Sequence, residues 1–408
     1  MPIERVNTLV IGGGQAGLVM SHMLRQRGCE HLVLERNRVA ERWRSERWDG
    51  LYFQFPNWSI RLPDFPFPHT ARDRFAGTAE IVEFLDAYAR FISAPIRCGV
   101  AVTALRPGRG KSGFVADTSA GSIEAENVVV ATGPYQRPKI PPLLDDDSSL
   151  FQLHASRYRA PDQLPSGAVL VVGSGASGAQ ISDELARAGR KVYLSIGRHR
   201  RMPRRYRNRD FIWWLDALGL YDMSVEQRGP PLPQPLITGA YGGHTIDFRE
   251  FATRGVVLLG RVSSAHSGVP DIAADLAENL AAGDAALEGF LDKADRHVET
   301  EALDLPQDPA ARRKHPDPDC LAAPIRRLDL ARSGIGAVVW ATGYLPEYDW
   351  IELPVLDESG APLHRHGVTE IQGLYFLGLQ WLAKMKSSFL SGVHEDAARL
   401  ADQIASRH

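Results

Sequence analysis

One unit occurs twice in this chain: a short apolar strand, a turn of closely spaced glycines, a helix and a second strand. No other feature narrows the possible folds as much. In the first copy Val6–Ile11 is an apolar run, Gly12, Gly13 and Gly14 follow, and a helical stretch runs from about Ala16 to Arg27. Gly28 ends that helix, and His31–Leu34 leads to Glu35. In the second copy Ala168–Val172 is followed by Gly173–Gly178, a helix to about Ala188, Gly189 and a strand at Lys191–Ile196. Short apolar runs that each feed a glycine turn and a helix belong to buried parallel strands. The expected fold is therefore α/β, with two Rossmann-like dinucleotide-binding domains, the second inserted into the first. Residues 1–155 and 325–408 are assigned to the first domain and 156–324 to the second, with 206–254 as a lid or substrate segment.

Each glycine of the first turn has its own task. Gly12 permits the tight turn, Gly14 leaves room for a pyrophosphate against the backbone, and Gly17 lets the helix approach the strand. The helix start offers unpaired N–H groups and partial positive charge to phosphates. Glu35 can accept hydrogen bonds from both hydroxyls of an adenosine ribose. Gly173, Gly175 and Gly178 repeat the spacing, with Ser177 in the same turn. The strand that follows ends on Ser195, Ile196, Gly197 and Arg198, so no carboxylate there opposes a phosphate. Arg198, with Arg200 and Arg201 nearby, is expected to read the 2′-phosphate of NADPH, because guanidinium pairs bidentately with phosphate. The bland alternative makes the run Arg198–Arg209 a solvated face or a patch for an acidic partner. Two nucleotide sites of unlike character imply a redox pair, a flavin held permanently and a nicotinamide that exchanges. The site with the carboxylate suits FAD, and the other suits NADPH.

Residues 51–70 are rich in aromatics and proline and read as an ordered loop over a site. Residues 79–91 read as an amphipathic helix with Ile81, Phe84, Leu85 and Tyr88 on one face. Phe211–Leu215 reads first as helix core, with a channel wall or an interface as alternatives. The formal net charge of -2 argues against a nucleic-acid binder that relies on overall positive charge. The three cysteines, Cys29, Cys98 and Cys320, form no CxxC and no disulfide framework, which fits a reducing compartment. His364 and His366 lack an evident third ligand, so no metal site is expected. The chain opens directly on a strand and holds no apolar run long enough to span a bilayer, so a cytoplasmic protein without a membrane partner is expected. A homodimer is left open.

Several further segments carry a resemblance to a known family. Ala131-Thr132-Gly133 and Ala341-Thr342-Gly343-Tyr344 each follow a strand, Trp43-Arg44 follows Glu35, and Leu62–Pro68 reads LPDFPFP. Thr78–Ala89 reads TAEIVEFLDAYA, His154–Tyr158 reads HASRY, and Gly373–Gly378 reads GLYFLG. With the two glycine sets, these resemble the class B flavoprotein monooxygenases, close to the flavin-containing and YUCCA-like branches, over nearly the whole chain. The family's Phe and Gly ahead of the histidine fall here on Ser148 and Leu150. Its Asn beside the flavin falls on Gln54, and Tyr158 and Arg42 stand where a Baeyer–Villiger enzyme has Trp and Gly. The resemblance implies that NADPH reduces FAD, that O2 forms a C4a-(hydro)peroxyflavin held by NADP⁺ and Gln54, and that one oxygen atom passes to a nitrogen, sulfur or carbon centre of a small-molecule substrate. It also adds Gln15, Ala16, Arg36, Trp43, Gly378 and Gln380 to the cofactor-binding set, makes His154 an organiser of the linker, and aims the last helix, opening near Gly392, at the flavin. The rival readings are an NADPH-dependent flavin reductase or oxidase on the same fold, and a nucleotide-binding regulatory flavoprotein.

Overall fold

A computed structural model describes residues 3–68, 71–108, 113–144, 150–266 and 269–407. Ser148 and the end of the 51–70 stretch lie outside the described residues.

The first sheet uses Glu4–Ile11 (β1), His31–Glu35 (β2), Ile96–Cys98 (β3), Val102–Pro107 (β4), Phe114–Thr118 (β5) and Gly121–Val130 (β6), in the order β3-β2-β1-β6-β5-β4. β1 runs parallel to both neighbours, with Ile11 level with Leu34 and Val130. The carboxyl ends of these strands therefore share one edge, where ligands of open α/β sheets bind. β6 is longer: its first residues pair antiparallel with β5, and its last three pair parallel with the strand Leu374–Phe376. Helix Gln15–Gln26 (α1) buries Leu18, Val19, Met20, Met23 and Leu24. Helix Thr78–Phe91 (α2) buries Ile81, Phe84, Leu85 and Tyr88, the stripe that its spacing predicts.

The second sheet is parallel throughout: Phe151–His154 (β7), Ala168–Val172 (β8), Val192–Ser195 (β9), Val257–Leu259 (β10) and Ile335–Trp340 (β11), in the order β7-β11-β8-β9-β10. Every residue of β8 is buried, as a continuous apolar run inside a covered sheet requires. Helices Ala176–Arg187 (α3) and Leu276–Thr300 (α4) belong to this unit, and Val393–Ala405 (α5) closes the chain against α1. β7 and β11 lie outside 156–324. β11 bonds to both β7 and β8 through its backbone, so the second unit reaches wider than a division at 155 and 325.

Two other segments differ from their sequence reading. Within 51–68 the chain is less loop than ribbon: Tyr52–Pro56 pairs with Phe75–Gly77, and Arg61–Leu62 pairs with Phe65–Pro66. The stretch 271–299, rich in Ala, Asp and Glu, reads as helical from its start, but Val269–Ile272 pairs with Val262–His266 and the helix starts at Leu276.

Candidate functional site

The two glycine turns match position for position. Gly12 and Gly173 have φ of 117° and 104°, a region that only glycine enters freely. A Cβ on Gly12 would lie 2.6 Å from the Ala131 carbonyl oxygen, and one on Gly173 would lie 2.5 Å from that of Ala341. A Cβ on Gly17 or Gly178 would lie 1.8 Å from the carbonyl oxygen of Gly12 or Gly173. Gly14 and Gly175 differ: a Cβ there meets nothing within 4 Å. The fold itself demands two glycines of each turn. The middle one faces open space, where an incoming ligand benefits from the missing side chain. The first helical hydrogen bonds run from Leu18 N to Gly14 O (3.0 Å) and from Ala179 N to Gly175 O (2.9 Å). The amides before them have no acceptor within their own helix and suit phosphate oxygens.

Beyond these turns the cradles differ. Glu35 accepts from Gly13 N at 2.7 Å and from Asn37 N at 2.9 Å, which fixes its carboxylate beside the first turn. In the second cradle the Ser174 hydroxyl accepts from Gly197 N at 3.1 Å, and the exposed Arg198 follows. One carboxylate edge and one cationic edge result.

A single cleft of about 1460 Å³ runs past both turns. It exceeds the usual pocket for one small ligand, roughly 300–1,000 Å³. From the first unit Gly12, Gly14, Gln15, Ala16, Glu35, Arg36, Trp43, Gln54, Ala131, Thr132, Gly133, Gly378 and Gln380 line it. From the second come Gly175, Ser177 and Arg198, and from the turn just after β11 come Ala341 and Gly343. Gly17, Gly173 and Gly178 sit behind this wall as packing positions. Ser195 is buried, donating to Gly260 O (3.1 Å) and accepting from Val262 N (3.0 Å), and the Thr342 hydroxyl donates to Lys139 O. Neither is among the lining residues.

The arginine run divides by burial. Arg198 and Arg200 line the cleft, and burial lowers the pKa of Arg200 from the usual arginine value. Arg201 does not join them. It is buried between Asp247 (2.7 Å) and Asp284 (3.0 Å), so both its faces are taken by protein carboxylates. Arg204 pairs with Asp210, Arg205 donates to the Gly242 and Gly243 carbonyls, and Arg207 pairs with Asp295. The solvated-face and acidic-partner readings of the whole run therefore fail, because most of these charges are satisfied internally. Phe211, Ile212, Trp214 and Leu215 are buried in the helix Phe211–Ala217, as the core reading held.

The middle of the cleft is aromatic. Phe53 tilts against Trp43 at 5.7 Å and against Phe55 at 5.4 Å, and Phe55 meets the edge of Phe389 at 5.0 Å. Gln54 lies in this wall, half-buried on the strand Tyr52–Pro56. Gln15 donates to Ser388 O (2.6 Å) and Gln380 to the Tyr135 hydroxyl (2.8 Å). The last helix supplies no lining residue; Ser388, Phe389 and Leu390, just before it, do. His154 organises the junction: Nδ1 accepts from Ser156 N (3.1 Å), and Nε2 donates to Gly343 O (3.0 Å). Burial lowers its pKa from the usual imidazole value. His364 accepts from Gly367 N, and His366 pairs with Glu226. Among the described residues no group of three His, Cys, Asp or Glu could hold a metal ion.

Sequence reading missed Gln136, whose amide donates to the Thr132 hydroxyl at 2.9 Å and accepts from Glu347 N, tying the two Ala-Thr-Gly regions together. It also missed Arg204. A lone Gln, or one Arg among the several of the run Arg198–Arg209, carries no spacing signal that could have revealed either.

The family profile described as pyridine nucleotide-disulphide oxidoreductase matches residues 9–217. An uncharacterized CzcO-like oxidoreductase of Geobacillus kaustophilus is 32% identical over 98% of this chain and 98% of its own length. The indole-3-pyruvate monooxygenase YUCCA1 of Oryza sativa is 30% identical over 46% of this chain and 47% of its own. A variant of the flavin monooxygenase from Stenotrophomonas maltophilia has a similar fold, with a TM-score of 0.69, 18% identity and 99% of each chain covered. Among the described residues no helix is long and apolar enough to cross a membrane. The chain belongs to the pyridine nucleotide-disulphide oxidoreductase family and is an enzyme, a flavin-dependent oxidoreductase whose relatives include flavin monooxygenases.

Proposed function

We propose that the chain is a cytoplasmic, NADPH-dependent FAD monooxygenase that transfers one oxygen atom from O2 to a nitrogen, sulfur or carbon centre of a small molecule. One observation carries this reading: a single cleft joins two glycine turns whose middle glycines face open space, one beside a carboxylate and one beside free arginines. The first unit, 1–155 with 325–408 apart from β7 and β11, is the FAD domain; 156–324 together with β7 and β11 is the NADPH domain, and 206–254 shapes the substrate end.

FAD, when bound, would supply acceptance of hydride from NADPH and activation of dioxygen. The backbone amides at the start of α1 bind its pyrophosphate, and Glu35 accepts from its ribose. The amides of α3 bind the NADPH pyrophosphate, and Arg198 with Arg200 pairs with the 2′-phosphate. The Gln54 amide, in the aromatic part of the cleft, would hydrogen-bond at the reacting edge. Phe53, Phe55 and Phe389, packed against one another in the same part of the cleft, would keep water from that edge, which would strengthen every polar contact inside.

Oxygen uptake measured beside product formation tests the reading, across a panel of small amines, sulfides and ketones with NADPH. Equal consumption of O2 and NADPH with one oxygen in the product supports it. NADPH oxidation in which every substrate stays intact and all oxygen returns as peroxide would instead indicate an oxidase.

A further inference from the structure

Arg204 is a charged side chain that the proposed chemistry leaves unused, and it is 2% exposed. Its fork is fully engaged. Nε donates to Asp210 at 3.1 Å and Nη2 donates to the same carboxylate. Nη1 donates to the backbone carbonyl of Gln54 at 2.7 Å and lies 3.5 Å from that of Thr238. The guanidinium also stands 5.0 Å from the centre of the Phe75 ring, on the strand that pairs with Tyr52–Pro56.

Asp210 has a second duty. It caps the helix Phe211–Ala217 by accepting from Ile212 N at 2.9 Å. Phe211 and Leu215 of that helix line the cleft, as Gln54 does. One buried side chain thus links the strand that carries Gln54 to the helix that carries another part of the wall. The two elements come from different units and are far apart in sequence, so no local turn fixes their distance.

We propose that Arg204 is a positioning residue: through the Gln54 carbonyl and Asp210 it sets where the Gln54 amide stands in the cleft. The proposal rests on the reading of Gln54 given above. A strand shift that moves the carbonyl also moves the side chain on the same residue, and a displacement of about 1 Å in a catalytic group can cost about a hundredfold in rate. Lysine cannot replace the arginine here, since a point charge cannot donate to a carboxylate and a carbonyl in fixed directions together.

The test uses full-length holoenzyme in four forms: wild type, Arg204→Lys, Gln54→Ala and the double variant. Flavin content and the rate of hydrogen peroxide release with NADPH in air, without substrate, are measured for each. Arg204→Lys and Gln54→Ala are each expected to raise peroxide release by about tenfold, and the double variant no further than either alone, the pattern of residues acting as one. Flavin content is expected to stay equal in all four, a readout that a merely structural role would move. Effects that multiply in the double variant overturn the proposal, and so does an unchanged Arg204→Lys beside a raised Gln54→Ala. An unchanged Gln54→Ala overturns the earlier reading of Gln54 itself. Asp210→Asn gives a second approach to the same link, and failure to fold in both Arg204→Lys and Asp210→Asn assigns the pair a structural role and overturns the proposal.

Discussion

At the residue scale the glycines separate fold from ligand. A valine at Gly17 would collide with the Gly12 carbonyl, so Gly17→Val is expected to lose at least about 3 kcal/mol and to fail to accumulate as folded protein. The Cβ of a valine at Gly14 meets no protein atom within 4 Å, so Gly14→Val is expected to keep the melting temperature of the apoprotein and to lose flavin. Thermal melts and visible spectra of the two variants separate these outcomes; a yellow Gly14→Val would contradict the assignment. Arg198 and Arg201 divide in the same way. Arg198→Ala is expected to lower the preference for NADPH over NADH by about tenfold with unchanged stability. Arg201→Ala is expected to destabilise the fold by about 3 kcal/mol, because the buried Asp247 would lose its ion-pair partner and Asp284 would keep only Arg249 (2.9 Å) and the more distant Lys314 (3.9 Å). Steady-state kinetics with both nucleotides and urea unfolding check this pair. His154 gives a pH dependence. Its depressed pKa favours the neutral ring in the fold, so this contribution is present above about pH 6.5 and is lost as the pH falls through the lower folded value. Unfolding followed between pH 7 and 5 should show a steeper loss of stability for wild type than for His154→Asn; equal slopes would remove the ring from the acid response. The glycines and Glu35 were legible because their geometry is local. Arg201 was not: its neighbours in sequence are cationic, but Asp247 and Asp284, which decide its place, lie far along the chain.

At the element scale the sequence showed strands and helices better than their partners. The stripe on α2 and the apolar run at Phe211 were readable from spacing alone. The membership of β7 and β11 in the second sheet was not, because strand pairing is non-local and a short apolar run does not name its neighbour. This leads to a direct expectation. A fragment of residues 156–324 lacks the strand that stands between β7 and β8, which leaves β8 with an open edge and β7 absent. It is expected to be unfolded by circular dichroism and to bind no NADPH. A cooperative melt from that fragment would show that β11 is dispensable.

At the scale of the whole molecule the two units meet along one cleft, and backbone contacts hold the segment 206–254 to the C-terminal part of the first unit. Val225 N donates to Ala383 O (2.8 Å), Met385 N donates to Met223 O (3.0 Å), and Lys384 pairs with Asp222 (2.9 Å). The link from Arg204 to Gln54 arises only from this assembly, and the aromatic wall joins distant segments of the first unit, which is why neither could be read from one segment. The central claim is the division of labour between the cradles, and anaerobic rapid mixing with NADPH tests it most directly. Wild type is expected to be yellow and to bleach on mixing, and Gly175→Val to be as yellow yet to bleach at least about tenfold more slowly, because only its nicotinamide cradle is blocked. A colourless wild type that takes up no added flavin, or a Gly175→Val that bleaches as fast as wild type, would contradict it.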